Sequence, residues 1–205
     1  MISNKPKKGS SIRKGFEYQD LTALRLALEL YIQRQEYQLS IEHDEAGSFD
    51  DIVIEHTDRV DAYQVKYAVS PNDVYTLDDF TNPNSKVYFK KFSDSWFSLK
   101  QQYPSKRLTL HLLTNRALDA ELSRVINSEG CFLKKFVEGG QYKRPREIRQ
   151  ELRTITHLTE TDFQEFLYCF QFQTNQRNLD ELKQYIQADL LDHQLGIVTV
   201  LSTMT

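Results

Sequence analysis

Glycine, proline and cysteine are all scarce in this chain, with 7, 5 and 2 among 205 residues. So few glycines and prolines exclude a low-complexity or disordered polymer. No glycine-rich phosphate loop and no Gly-x-Ser-x-Gly turn occurs, which removes P-loop and α/β-hydrolase chemistry. Cys131 and Cys169 stand far apart, in no Cys-x-x-Cys or Cys–His spacing, so no structural zinc site is expected. Two separated thiols suit a reducing compartment and core packing. No apolar run reaches membrane-spanning length. The opening residues MISNKPKKGSSIRKGF are charged but lack the apolar stretch of a secretory signal. These absences point to a soluble cytoplasmic protein. The five histidines (His43, His56, His111, His157 and His193) show no ligand spacing.

A basic excess is missing too: the formal net charge is −3, which counts against a dedicated DNA-binding domain. The positive charge is nevertheless clustered. Lys5, Lys7, Lys8, Arg13 and Lys14 precede or open the first helix. Lys86, Lys90 and Lys91 surround the aromatics of KVYFKKF. Lys134 and Lys135 follow, and then Lys143, Arg144, Arg146 and Arg149. Any one cluster reads as a solvated face, while several together can line a groove that tracks phosphates.

The length suits one large domain with a core of its own. Leu21, Leu24, Ala27, Leu28 and Tyr31 recur at helical spacing and predict a helix from about Lys14 to Gln33. Strands are expected at Tyr37–Glu42, Phe49–Glu55 and Val60–Tyr67, the last two joined as a hairpin through His56–Arg59. Ser70–Ser85 reads as a loop and Lys86–Gln101 as a helix carrying Val87, Phe89, Phe92, Trp96 and Leu99. Arg107–Leu113 follows as a strand and Leu118–Ile126 as a short helix. Residues 127–158 give no clear pattern, and Thr159–Leu167 looks helical. Asn178 is a candidate N-cap for Leu179–His193, with Gly196 beyond its end. This order predicts an α/β fold, a mixed sheet flanked by helices. The chain stops at GIVTVLSTMT in mid-pattern, so residues 1–205 read as a single domain at the N-terminal side of a longer protein.

The chemistry concentrates in SFDDIVI and VDAYQVKY. Alternate strand residues share a face, so Gln64 and Lys66 point the same way. In a hairpin, Asp50 lies at the end that neighbours them. A carboxylate, an amide oxygen and an ammonium then converge, which suits phosphodiester hydrolysis with a hard cation. Asp50 and the Gln64 carbonyl would supply ligands and the Val65 backbone carbonyl a third, with Asp51 in reserve if a bulge turns it inward. Lys66 would orient water or hold the phosphate. Glu17, expected near the start of the first helix, is a further acidic candidate, although acids also favour a first helical turn for its dipole. Spacing alone fits equally a strand with one wet face.

An acid, a strand, a turn and then Q-x-K behind an N-terminal helix resembles the PD-(D/E)XK, or restriction-endonuclease-like, superfamily in its Q-x-K variant. GFEYQ at residues 15–19, FDDIVI, YQVKY, FKKFSDSW and LLTNR together resemble the nuclease domain of CD-NTase-associated anti-phage endonucleases. The resemblance implies a restriction-endonuclease-like mixed sheet and a Mg²⁺- or Mn²⁺-dependent endonuclease that cuts double-stranded DNA. It implies Asp50, Gln64 and Lys66 as the catalytic motif, with Asp51 and Glu17 flanking it. It also implies activation by homo-oligomerisation and a C-terminal sensor, usually a SAVED domain, or an NTPase region, absent here. Lys14, Lys90 and Lys91 are the candidate DNA contacts. The alternative is an inactive nucleic-acid-binding or oligomerisation module of the same fold.

Overall fold

A computed structural model describes residues 8–70 and 73–193. The expectations for Lys5, Lys7, Pro71, Gly196 and the GIVTVLSTMT end lie outside the described residues. The described residues fall into two compact units: those within 36–176 form one, and 8–35 with 177–193 the other.

The larger unit is built on a five-stranded mixed sheet, in the order β1 (Gln38–Ile41), β2 (Ile52–Glu55), β3 (Arg59–Lys66), β4 (Arg107–Thr114) and β5 (Phe170–Gln173). The first three strands form an antiparallel meander, in which Ile52 pairs with Tyr63 and Glu55 with Val60. β4 and β5 then add in parallel, Lys66 facing Thr114 and Leu113 facing Gln173. The expected hairpin is present, and β3 is the central strand.

Val60 and Ala62 on β3, Leu110 and Leu112 on β4, and Phe170 and Phe172 on β5 share one face and join the core. Against that face lies α3 (Phe89–Gln102), whose Phe89, Phe92, Trp96 and Leu99 recur at helical spacing and are fully buried. α6 (Lys143–Thr156) adds Ile148 and Leu152, and α7 (Glu160–Cys169) adds Phe163, Phe166 and Leu167. Phe89 meets Phe80, Phe92, Phe132, Phe166 and Phe170, with ring centroids 5.0 to 6.4 Å apart. Truncating such a ring to alanine costs about 3–5 kcal/mol. Three shorter helices complete this unit: α2 (Leu77–Thr81), α4 (Ala120–Ser123) and α5 (Lys134–Val137).

Several boundaries differ from expectation. The Ser70–Ser85 stretch, read as loop, contains α2, started by a capping box between Thr76 and Asp79. Lys86–Tyr88 precede α3 rather than opening it. Residues 127–158 hold α5 and α6, and β5 was not anticipated. Most important for the site, β2 begins at Ile52. Phe49 ends a 3-10 segment, Asp44–Phe49, and Asp50 follows it with helical φ and ψ of −79° and −19°. Ala46 and Phe49 are fully buried, so core packing draws this stretch out of the sheet.

The smaller unit pairs α1 (Lys8–Ile32) with α8 (Leu179–Asp192). Asn178 caps α8 in a box with Glu181, as its position in the sequence predicts. The Tyr18 hydroxyl donates to the carbonyl of Arg177 at 3.0 Å. Tyr31, expected on the apolar stripe of α1, is 61% exposed, while Tyr18, Leu21, Leu26 and Leu28 are buried.

Candidate active site

The site forms where β2 starts and β3 ends. Asp51 immediately precedes β2, and its carboxylate points at the last three residues of β3. One oxygen, Oδ2, accepts hydrogen bonds from the Gln64 side-chain amide and, at 2.6 Å, from the Val65 N–H. The Lys66 ammonium lies 3.7 Å from the same oxygen. Asp50 is part-buried beside this group. Burial raises its pKa above the ordinary carboxylate value, and the charges of Asp51 and Glu42 act in the same direction. Its own backbone hydrogen bond and Lys66 oppose them. Burial lowers the pKa of Lys66, with Asp51 and Asp50 opposing and Lys86 assisting. The cluster thus holds one acid, Asp50, and one lysine, Lys66, displaced toward each other in titration, a pattern that marks candidate functional sites.

The sequence reading put Asp50 on the strand with Ile52 and Ile54 and kept Asp51 in reserve. The structure corrects that geometry. Asp51 makes the direct contacts to Gln64, Val65 and Lys66, while Asp50 joins through the field it shares with Asp51 and Lys66. No bulge is needed, because the strand starts only after both aspartates. Val65 contributes its N–H to Asp51, and its carbonyl belongs to the penultimate residue of β3.

The turn carrying the acids is fixed from two sides. The His43 N–H donates to the Asp50 carbonyl at 2.8 Å, and the Glu42 N–H to that of Asp51 at 3.3 Å. Gly47 sits at φ +62°, where an added Cβ would fall 2.5 Å from the Ser95 hydroxyl of α3. That hydroxyl accepts from the Ser48 N–H at 2.7 Å. Glycine is required there for both conformation and space.

Glu17 and Lys14 belong to the smaller unit. Glu17 lies in the third turn of α1, not its first, and pairs with Lys183 at 2.5 Å. Lys14 is exposed on the same helix. Of the cations in KVYFKKF, Lys90 is committed to Asp94 at 2.5 Å, and Lys91 reaches the Ser85 carbonyl at 3.4 Å. Lys86, exposed and just before α3, is the one whose charge acts on Lys66. Sequence reasoning named it within a cluster but did not choose it. Its distinguishing mark, the proximity of two sequence-distant segments, is invisible in the sequence.

A divalent cation fits the donor set, although among the described residues no group of three His, Cys, Asp or Glu side chains could hold a metal. Mg²⁺ keeps most of its waters and needs one or two carboxylates. Asp50 and Asp51 could provide two, and the Gln64 carbonyl could provide a neutral third. Burial first, and the neighbouring charge of Asp51 second, raise the pKa of Asp50, and a bound cation would offset both. A polar cleft of about 520 Å³ lies elsewhere, at the end of β5, lined by Asn127, Glu129, Gln171 and Asn175 among others. It has one acid and no lysine among its lining residues, unlike the Asp51–Lys66 cluster.

A five-stranded mixed sheet with helices packed on it, and acids beside a lysine at its edge, define an α/β protein of restriction-endonuclease-like architecture. The chain belongs to the family described as Cap4, dsDNA endonuclease domain, whose model matches residues 7–190. It is therefore a DNA endonuclease domain. No curated protein matches it. Among the described residues no helix is long and apolar enough to cross a membrane.

Proposed function

We propose that this chain hydrolyses phosphodiester bonds of double-stranded DNA in a divalent-metal-dependent reaction at Asp50, Asp51, Gln64 and Lys66. The carrying observation is the convergence of the Gln64 amide, the Val65 N–H and the Lys66 ammonium on one carboxylate, Asp51. Asp50, Asp51 and Gln64 would hold Mg²⁺ or Mn²⁺. When bound, the ion would neutralise phosphate charge and acidify a water. Asp51 fixes Lys66 through its charge and fixes Gln64 through its amide nitrogen. Lys66, with its pKa lowered by burial, takes the proton of the attacking water or holds a non-bridging phosphate oxygen. A new P–O bond forms to the water oxygen, the P–O bond to one sugar breaks, and the departing oxygen gains a proton.

The same reading places the protein in the cytoplasm as an effector of anti-phage defence. Its cutting would be raised by homo-oligomerisation and governed by a C-terminal sensor. The sequence resemblance supports this part. A nuclease that cut host DNA freely would be toxic, so the isolated chain should cut weakly, and forced dimerisation through a fused tag should raise cleavage. The primary test incubates the chain and Lys66→Ala with plasmid DNA or RNA, with Mg²⁺, Mn²⁺ or EDTA. Metal-dependent cutting of DNA that Lys66→Ala loses is expected. Cutting by both proteins alike, or of RNA alone, would sink the reading.

A further inference from the structure

We propose that Arg116 is a phosphate-binding residue of this site, its guanidinium taking a DNA phosphate that neighbours the one hydrolysed at Lys66. The inference rests on the endonuclease reading above and extends it by one substrate contact. Thr114 faces Lys66 across the β3–β4 ladder, at the usual strand spacing of about 4.8 Å. Arg116 follows two residues later, at the same edge of the sheet. Its position is built rather than incidental. The Arg116 N–H donates to the Thr114 hydroxyl at 3.2 Å, and its carbonyl accepts from the Asn175 N–H at 3.0 Å. Between them, the Asn115 side chain clamps the backbone of Ala68, accepting from its N–H at 2.8 Å and donating to its carbonyl at 2.7 Å. The segments leaving β3 and β4 are thereby tied together.

The side chain is held just as firmly. The guanidinium lies over the Tyr75 ring, 4.8 Å from its centre. Tyr75 belongs to the core cluster of Ala62 and Leu112, the face that also carries Gln64 and Lys66. The guanidinium has one carboxylate partner, Asp73 at 3.2 Å, whose side chain is 77% exposed. Such an exposed pair contributes little. Arg116 Nε is buried and has no hydrogen-bond partner among the described residues. A stacked, pre-positioned guanidinium with an unused N–H and a loosely held counter-ion is suited to a bidentate anion. A phosphate displacing Asp73 takes the same N–H with one oxygen and turns another toward Nε. The site needs that cation, because Asp50 and Asp51 repel the very polyanion that must reach Lys66.

The experiment compares wild type, Arg116→Ala, Arg116→Lys, Asp73→Ala and Lys66→Ala. Each is assayed for cleavage of linear duplex DNA with Mn²⁺, for gel shift in EDTA across a salt series, and for thermal melting. Arg116→Ala should melt near wild type and bind DNA about 10–100-fold more weakly, as loss of charge-assisted hydrogen bonds entails. Its salt slope should fall by about 1. Arg116→Lys should keep the slope and recover part of the affinity. Asp73→Ala should tighten binding about two- to fivefold, a change that a purely structural arginine would not produce. Arg116→Ala that binds with wild-type affinity and slope overturns the assignment. So does an equal loss of melting temperature in Arg116→Ala and Arg116→Lys with no response to Asp73→Ala. A wild type that binds but does not cut refutes the endonuclease reading alone, since the gel-shift series still decides the role of Arg116.

Discussion

The two ends of β3 carry charge clusters centred five residues apart, on Asp61 and Lys66, and solved in opposite ways. At the lower end, Asp61 is surrounded by partners: Arg59 at 3.1 Å, His56 at 3.3 Å and His111 at 3.7 Å. His111 is itself stacked on Tyr63, with ring centroids 4.3 Å apart, and lies 3.0 Å from the Gln173 amide. Burial opposes ionisation of Asp61, yet His111 and Arg59 bring its pKa down to about 2. At the upper end the signs reverse. Asp50 is pushed up and Lys66 down, because burial and like-charge neighbours outweigh what opposes them. A structural cluster is compensated inside the fold. The proposed catalytic one is left in tension that metal, water and phosphate would resolve.

The sharpest way to break this contrast is Lys66→Ala. Removing a pre-organised charge from such a site costs about 3–4 kcal/mol in the transition state, a hundredfold or more in rate. Single-turnover cleavage should show that loss while the melting temperature stays near wild type. A variant that still cuts at the wild-type rate would erase the distinction between the two ends.

Asp51→Ala and Asp50→Ala should each fall by about tenfold or more, as ligand or orienting-group losses do. Extra Mn²⁺ should partly restore them and leave Lys66→Ala inactive. Equal Mn²⁺ rescue of all three would remove the separate role given to the lysine.

At the compensated end the expected effect is on stability. The folded pKa of Asp61, about 2, lies below its ordinary value of 3.8. The folded state therefore binds the proton less readily than the unfolded chain. The stabilisation is fully present above the unfolded pKa and is lost as pH falls through the folded one. Asp61→Asn should thus cost about 2 kcal/mol at neutral pH. Denaturant melts of the two proteins should converge between roughly pH 4 and pH 2, while cleavage at pH 7 stays near that of the wild type. A gap that persists unchanged in acid would mean Asp61 is not held by charge.

The smallest effect separates two lysines of one cluster. Lys86→Ala should reduce the salt slope of DNA binding by about 1, whereas Lys90→Ala, already paired with Asp94, should change it little. Equal slopes would show that proximity to Lys66 confers nothing.

Much of this was legible in the sequence where the physics is local. The β2–β3 hairpin followed from two β-branched and aromatic runs split by the polar stretch His56–Arg59, α3 from the spacing of Phe89, Phe92, Trp96 and Leu99, and the start of α8 from Asn178. What escaped depends on partners remote in the chain. Phe170–Gln173 is a four-residue run whose strand state comes from pairing with β4 some 60 residues earlier. α6 reads as a charged stretch, with Pro145 harmless in its first turn, and becomes a helix by burying Ile148 and Leu152. At the site, Gln64 and Lys66 were placed on one strand face by alternation alone. The exchange of roles between Asp50 and Asp51 could not be read, because Ala46 and Phe49 sink into a core that later elements complete.

The parallel β3–β4–β5 arrangement also orders events in time. Lys66 is synthesised long before Arg107 begins β4 and about 110 residues before Gln176 closes the segment after β5. Until β4 is made the central strand has no neighbour on that side, and until residues 89–102 are made α3 cannot hold the turn of Asp50. At roughly 5–20 residues per second, the ribosome leaves the growing chain in that unfinished state for on the order of 10 s. The topology thus puts a delay between the synthesis of the proposed catalytic residues and their assembly. A circular permutant that begins at β4 would shorten that delay.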